Sequence, residues 1–189
     1  MYFRVLERAI VVTLILILIG CTSKLSKIEV DVASKPTEGK GYLLLEVNTD
    51  ISLNTVEIRG ESRVDLTEKD LREGSNYILV QLDAGEYYIN SVTRKSGYWK
   101  FSIKSNEEYY KFSVNPNSIS YIGTLAVRSN EYTALESMIL INNSSFALEF
   151  MHERFPNILQ SRVMIYSGPG TDAFLENMHK PENASEITI

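Results

Sequence analysis

Cysteine is almost absent from this sequence: Cys21 stands alone among 189 residues. A single thiol excludes an intramolecular disulfide, so an apolar core must carry stability. Apolar residues at 44% and 11 tyrosines supply the material for one. Histidine is scarce as well, with only His152 and His179. His152-Glu153 runs into Arg154-Phe155-Pro156, so the HExxH zinc spacing fails. Glu149 and His152 stand at i, i+3 without a second ligand pair, which reads as a polar helix face. Ser167-Gly168-Pro169-Gly170 lacks the G-x-S-x-G elbow of a serine hydrolase and reads as a turn. No glycine-rich phosphate loop, fixed-period repeat or low-complexity tract occurs. Asp65, Glu68, Asp70 and Glu73 share one charged stretch, the pattern of a solvated surface. The residues name no catalytic group, no metal site and no cofactor, and the expectation is that the chain is not an enzyme.

Positive charge is also in short supply. The net charge is −5. Residues 1–20 contribute Arg4, Arg8 and Glu7, so the chain after them is one unit more acidic still. With no Lys/Arg cluster along the chain, sequence-independent nucleic-acid binding is excluded as the main role, because it needs cations to replace counterions.

Long apolar runs are missing with one exception. Ala9–Gly20 is an uncharged stretch of 12 residues behind a short positive n-region. It suits the h-region of a signal peptide and falls short of the roughly 20 residues of a spanning helix. Leu18-Ile19-Gly20-Cys21 resembles a bacterial lipobox. The resemblance implies lipidation of Cys21, cleavage before it, and anchoring in the cell envelope by two or more acyl chains. Thr22 follows the cysteine, which in a diderm bacterium implies delivery to the outer membrane. The resulting division is a signal peptide over 1–20 and a lipidated cysteine with a polar tether over 21–40. Ile28, Val30 and Val32 alternate with charges inside that tether, so a short edge strand competes with a flexible lead there.

From Gly41 the texture becomes period-two alternation. Leu43, Leu45 and Val47 share a face, as do Val56 and Ile58, and Ile78, Val80 and Leu82. Residues 60–75 read as a charged surface loop, with Thr67 capping a short turn. Trp99, Phe101 and Ile103 alternate with Lys100, Ser102 and Lys104. Residues 119–127 are apolar on both faces, with Tyr121, Leu125 and Val127 on one and Ile122 and Ala126 on the other. Such a strand is central or covered on both sides. About eight strands between 41 and 142 predict a mostly β chain: an antiparallel Greek-key sandwich, Ig-like or prealbumin-like, with one or two short C-terminal helices. A small barrel is the competing architecture. Asp83-Ala84-Gly85-Glu86-Tyr87 has the D-x-G-x-Y spacing of a tyrosine corner, in which Gly85 permits the turn and Tyr87 bonds upstream backbone.

Ser145 reads as the cap of a helix over FALEFMHERF, stopped by Pro156. That helix and a last strand near 163–166 form the unit 143–166. An arm over 167–189 follows, with Thr171 as cap of a short helix that Pro181 ends. LDAGEYYINSV, YYKFSVNPNSISYIGTLAV and LINNSSFALEFMHERFP resemble a family of uncharacterised bacterial lipoproteins with a prealbumin-like or collagen-adhesin-B-like sandwich. That resemblance implies a fold and an envelope location and supplies no catalytic residues.

Two functions follow as expectations. The first is a lipid-anchored envelope protein that contacts another envelope protein, with Phe174, Leu175 and Met178 of the arm as contact residues. The second is a glycan- or peptide-binding module using Tyr98 and Tyr109, since flat rings stack on sugar faces. Against the second stands a plainer reading: Trp99 and Tyr110 in the core, with Tyr98 and Tyr109 as half-exposed cross-strand partners.

Overall fold

The computed structural model describes residues 27–33, 38–130, 132 and 134–178. Cys21, the apolar run before it, His179 and Pro181 lie outside them. Among the described residues, ten strands form two five-stranded sheets packed as a sandwich, and three short helices cover one of them.

The first sheet runs β4 (Gly74–Asp83), β1 (Lys40–Thr49), β8 (Ile119–Ser129). The outer edge of β8 is then divided: β10 (Met164–Tyr166) pairs its first half and β9 (Leu135–Ile141) its second. Most pairings are antiparallel, but β1–β8 and β8–β10 are parallel. The second sheet runs β3 (Val64–Thr67), β2 (Thr55–Gly60), β5 (Gly85–Ser96), with β7 (Lys111–Val114) and β6 (Trp99–Lys104) sharing the outer edge of β5. Leu43, Leu45, Ile58, Val80, Ile89 and Val127 are among the side chains filling the space between the sheets.

Two details depart from the sequence pattern. The 60–75 stretch is not all loop: Val64 and Leu66 are buried in β3, and a 3-10 turn over Glu68–Asp70 follows, without a cap bond from Thr67. In β8, Tyr121 does not share a face with Leu125 and Val127. Register slips between Leu44↔Tyr121 and Glu46↔Thr124, so β8 carries one extra residue at Gly123, where φ is +116°. Such a bulge inverts the alternation beyond it. Tyr121 therefore faces outward, while Ile122, Leu125 and Val127 face the second sheet.

The outward face of the first sheet receives the helices. α1 (Ser144–Arg154), α2 (Pro156–Ser161) and α3 (Ala173–Met178) make three, one more than expected. Ala147, Met151, Phe155, Ile158 and Leu175 pack on Tyr42, Leu44 and Tyr121. α1 starts one residue before the expected cap, with Asn143 at the N-cap. Pro156 both ends α1 and opens α2, since a proline at the first helical position loses no hydrogen bond. Phe155 precedes it and cannot cap. Asp31 does so from a distance: its carboxylate accepts the backbone N–H of Asn157 at 2.8 Å and of Ile158 at 2.9 Å. The lead is thus held at Asp31 and again at Ile28, whose N–H donates to Leu79 O at 2.8 Å. Asp172, not Thr171, caps α3, accepting from Phe174 N–H at 2.9 Å and Leu175 N–H at 3.2 Å.

At the lower end of the sandwich the chain passes from β4 to β5, between sheets. Gly85 makes that passage with φ +150°. The Tyr87 hydroxyl donates to Asp83 O at 3.0 Å, the geometry of a tyrosine corner. Its ring stacks on Phe112 with centroids 5.8 Å apart, and burial pushes its hydroxyl pKa up.

Candidate functional site

Three regions gather polar or aromatic groups: a buried network under α1, a groove among the helices, and a hairpin at the upper end.

The network starts from Glu46, whose outward position on β1 lies under the helical layer and is buried. Thr124 Oγ1 donates to its carboxylate at 2.5 Å, and Asn143 Nδ2 donates to Thr124 Oγ1 at 3.0 Å. The Tyr121 hydroxyl stands 3.4 Å from the same oxygen and accepts from Asn143 N–H at 3.3 Å. Burial raises the Tyr121 hydroxyl to about 12 and pushes Tyr77 higher still, with Glu46 adding to the latter. Two phenols held protonated and a bonded carboxylate satisfy one another. The network fastens the start of α1 to the first sheet and presents no reactive group to a substrate.

The groove has a volume of 460 Å³ and lies between α1, α2, β10 and α3. Leu148, Leu159, Met164 and Leu175 line it, with His152, Asn157, Gln160 and Arg162 as its polar members. Arg162 sits over the Tyr42 ring, 5.0 Å from its centroid. Both His152 and Glu149 are exposed on α1, and among the described residues no three His, Cys, Asp or Glu side chains converge as metal ligands. Leu175 is corrected as a contact residue: at 2% exposure it holds the arm in the outer core. Phe174 and Met178 remain at the surface beside it.

The hairpin is β5–β6. Tyr98 is 107% exposed in its turn and Trp99 74% exposed at the start of β6, so Trp99 is not a core residue. Tyr110 is tucked in, its hydroxyl donating to Met138 O at 2.5 Å. Tyr109 is exposed too, but in the 3-10 turn beyond the far end of β6. β6 separates it from Tyr98 by about 17 Å of strand. The two tyrosines chosen from the sequence therefore do not form one strip.

What the sequence reading missed is the charge around Tyr98. From Tyr87 to Asn106 the chain has no Asp or Glu and carries Arg94, Lys95, Lys100 and Lys104. Lys95 and Lys100 are direct cross-strand partners, both exposed. Like charges set opposite each other destabilise a ribbon. Ser96↔Trp99 is the next pair toward the turn. The tip thus carries two ammonium groups on one face, an indole on the other and a phenol at its end. No protein-family model, curated protein or solved structure matches this chain.

Proposed function

We propose that this chain is a lipid-anchored protein of the bacterial cell envelope, held through Cys21, whose sandwich serves as an interaction module for another envelope protein. One observation carries the reading: Leu18-Ile19-Gly20-Cys21 closes an uncharged apolar run, and only seven residues after Cys21 the backbone of Ile28 is bonded to the sandwich at Leu79. That arrangement suits a folded domain kept close to a membrane by its lipid. The resemblance to prealbumin-like lipoproteins agrees with this and rests on its own residues. The contact surface for a protein partner is the docked arm, where Phe174 and Met178 present apolar surface from a helix fixed by Leu175 and Asp172.

The test is metabolic labelling of cells with an alkyne fatty acid, on the full chain and its Cys21→Ser variant. Label on the parent chain, lost together with membrane fractionation in the variant, is the expected result. A parent chain that takes no label, or a variant that keeps it, overturns the anchor. Crosslinking in the same cells tests the module: Phe174→Ser with Met178→Ser removes a specific envelope partner while leaving the fold intact.

A further inference from the structure

The described N-terminal segment meets the sandwich halfway along β4, Ile28 N–H on Leu79 O, and the Lys27 side chain reaches from there toward the end that bears the aromatic tip. Lys27 Nζ is 3.9 Å from Asp70 Oδ1 in the 3-10 turn after β3. Leu53 N–H donates to Leu71 O at 2.9 Å, and Asn54 Nδ2 donates to Glu68 at 3.3 Å, so that turn lies on the β1–β2 link. Asn54 Oδ1 in turn accepts the backbone N–H of Lys95 at 2.5 Å. Three contacts therefore carry the path from Lys27 to the base of the hairpin tip. The six residues from Cys21 to Lys27 reach at most about 20 Å when extended. That length lets a lipid on Cys21 bring the tip's end next to the bilayer.

Among the described residues the acidic groups at this end are Asp50, Glu68, Asp70, Glu73 and Glu136, the last exposed at the start of β9. Asp50 accepts from Ser129 N–H and its hydroxyl, Asp70 faces Lys27, and Glu68 holds Asn54. Glu73 is exposed, on the chain entering β4. Beyond Thr93, which pairs with the first residue of β2, the β5–β6 ribbon continues past that strand. The tip therefore projects its own two lysines and two aromatic rings. Tyr132, in the β8–β9 turn at the same end, is exposed as well. Tryptophan and tyrosine favour the lipid–water boundary, where the ring is buried and its polar atom stays wet, and lysine stems reach along apolar surface to headgroups.

We propose that the β5–β6 tip is a membrane-contact hairpin, in which Tyr98 and Trp99 seat at the boundary and Lys95 and Lys100 meet anionic phospholipid headgroups. The proposal rests on the lipid-anchor reading for its geometry. It makes the anchored sandwich a docked body, with the Phe174–Met178 arm directed elsewhere, rather than a bead swinging on a tether. The mismatch of an acidic chain and a basic tip then has a use: the body is repelled from an anionic bilayer while one hairpin is drawn to it.

Trp99 is the only tryptophan, so intrinsic fluorescence reads this hairpin alone. The full chain is reconstituted in vesicles of phosphatidylcholine, with or without phosphatidylglycerol, and flotation establishes separately that it is anchored. With phosphatidylglycerol, Trp99 emission moves to the blue, lipids brominated near the headgroup quench it, and salt or Lys95→Glu with Lys100→Glu reverses both. An anchored chain whose Trp99 stays fully open to iodide in phosphatidylglycerol vesicles overturns the hairpin proposal and leaves the anchor standing. A chain that does not float overturns the anchor; added vesicles that still blue-shift Trp99 keep the hairpin, and an unmoved spectrum removes it. Heparin shifting the emission as strongly as the anionic vesicles makes the tip a general polyanion site and overturns the lipid assignment.

Discussion

The two sheets are built on the same plan and end in opposite surroundings. Each centres on one long strand, β8 or β5, whose outer edge is divided between two short ones. In β8 every residue from Ile119 to Val127 is buried, because the second sheet covers one face and the helices cover the other. In β5 burial largely alternates, and its outer face keeps a polar cluster in which Glu57 accepts from Ser91 at 3.2 Å and pairs with Arg63 at 3.1 Å. One strand needs two covers and the other needs one. The same division of the edge leaves β6 pairing only the upper half of β5, so its turn runs beyond β2. The exposed aromatic tip is a product of that topology.

The sharpest way to break this contrast is to remove a side chain from the helix-covered face. Leu44 is fully buried among the helical side chains. Leu44→Ala should cost about 2–5 kcal/mol in urea unfolding, the range for a cavity in a packed core. Lys104→Ala, on the bare face, should stay within about 0.5 kcal/mol. A loss at Leu44 as small as that at Lys104 would mean the helices do not cover the sheet. The second test concerns how β8 serves both covers. At Gly123 a Cβ would approach the Ile141 carbonyl oxygen to 2.8 Å, on a backbone with φ +116°. Gly123→Ala should cost on the order of 1–3 kcal/mol through strain at that φ and crowding against backbone. An unchanged midpoint would show that the bulge does not need a glycine at 123.

Much of this contrast was legible in the sequence. Period-two runs marked the strands, and the two-sided run at 119–127 announced a strand covered on both faces. The bulge was not legible, because an alternation count assumes constant register and a glycine in a strand does not state its φ. β3 was hidden because Val64 and Leu66 are only two apolar residues in a charged stretch. Pro156 reads as a stop, since a start needs a cap, and the cap is Asp31, 126 residues before Asn157. The charge beside Tyr98 is hidden in the sequence for a related reason. Net charge and a scan for runs of Lys/Arg conceal Lys95 and Lys100, which become neighbours only when β5 pairs with β6. Leu175 was misjudged because three apolar residues on a short helix do not reveal which one turns inward.

The lead and the arm extend the comparison to the helical layer, since a carboxylate fixes each. Asp31→Ala removes the cap of α2 and should cost about 1 kcal/mol. Hydrogen exchange should localise the loss to Asn157, Ile158 and the Ile28 amide, leaving the second sheet protected. Loss of protection spread evenly over both sheets would mean the lead is no separate clasp of the helical layer.

Asp172 gives the smallest effect and the one that depends on pH. Burial pushes its carboxyl up, but the Ser144 and Asn142 side chains beside it and the bonds from the Leu175 and Phe174 amides outweigh that and hold it below the ordinary value. A carboxylate with a depressed folded pKa contributes stability that is whole above the unfolded pKa, near about 4. That contribution is lost as the pH falls through the folded value. The arm should therefore loosen below about pH 4, ahead of the sandwich, seen as exchange at the Leu175 amide. Asp172→Asn keeps a good cap and should leave neutral-pH stability nearly unchanged while removing the acid step at Leu175. An acid step that survives in Asp172→Asn would move its origin to another carboxylate. Glu57 is the next to test, because its pKa is also depressed, against burial, by Asn90, Arg59 and Ser91 on the bare face of the second sheet.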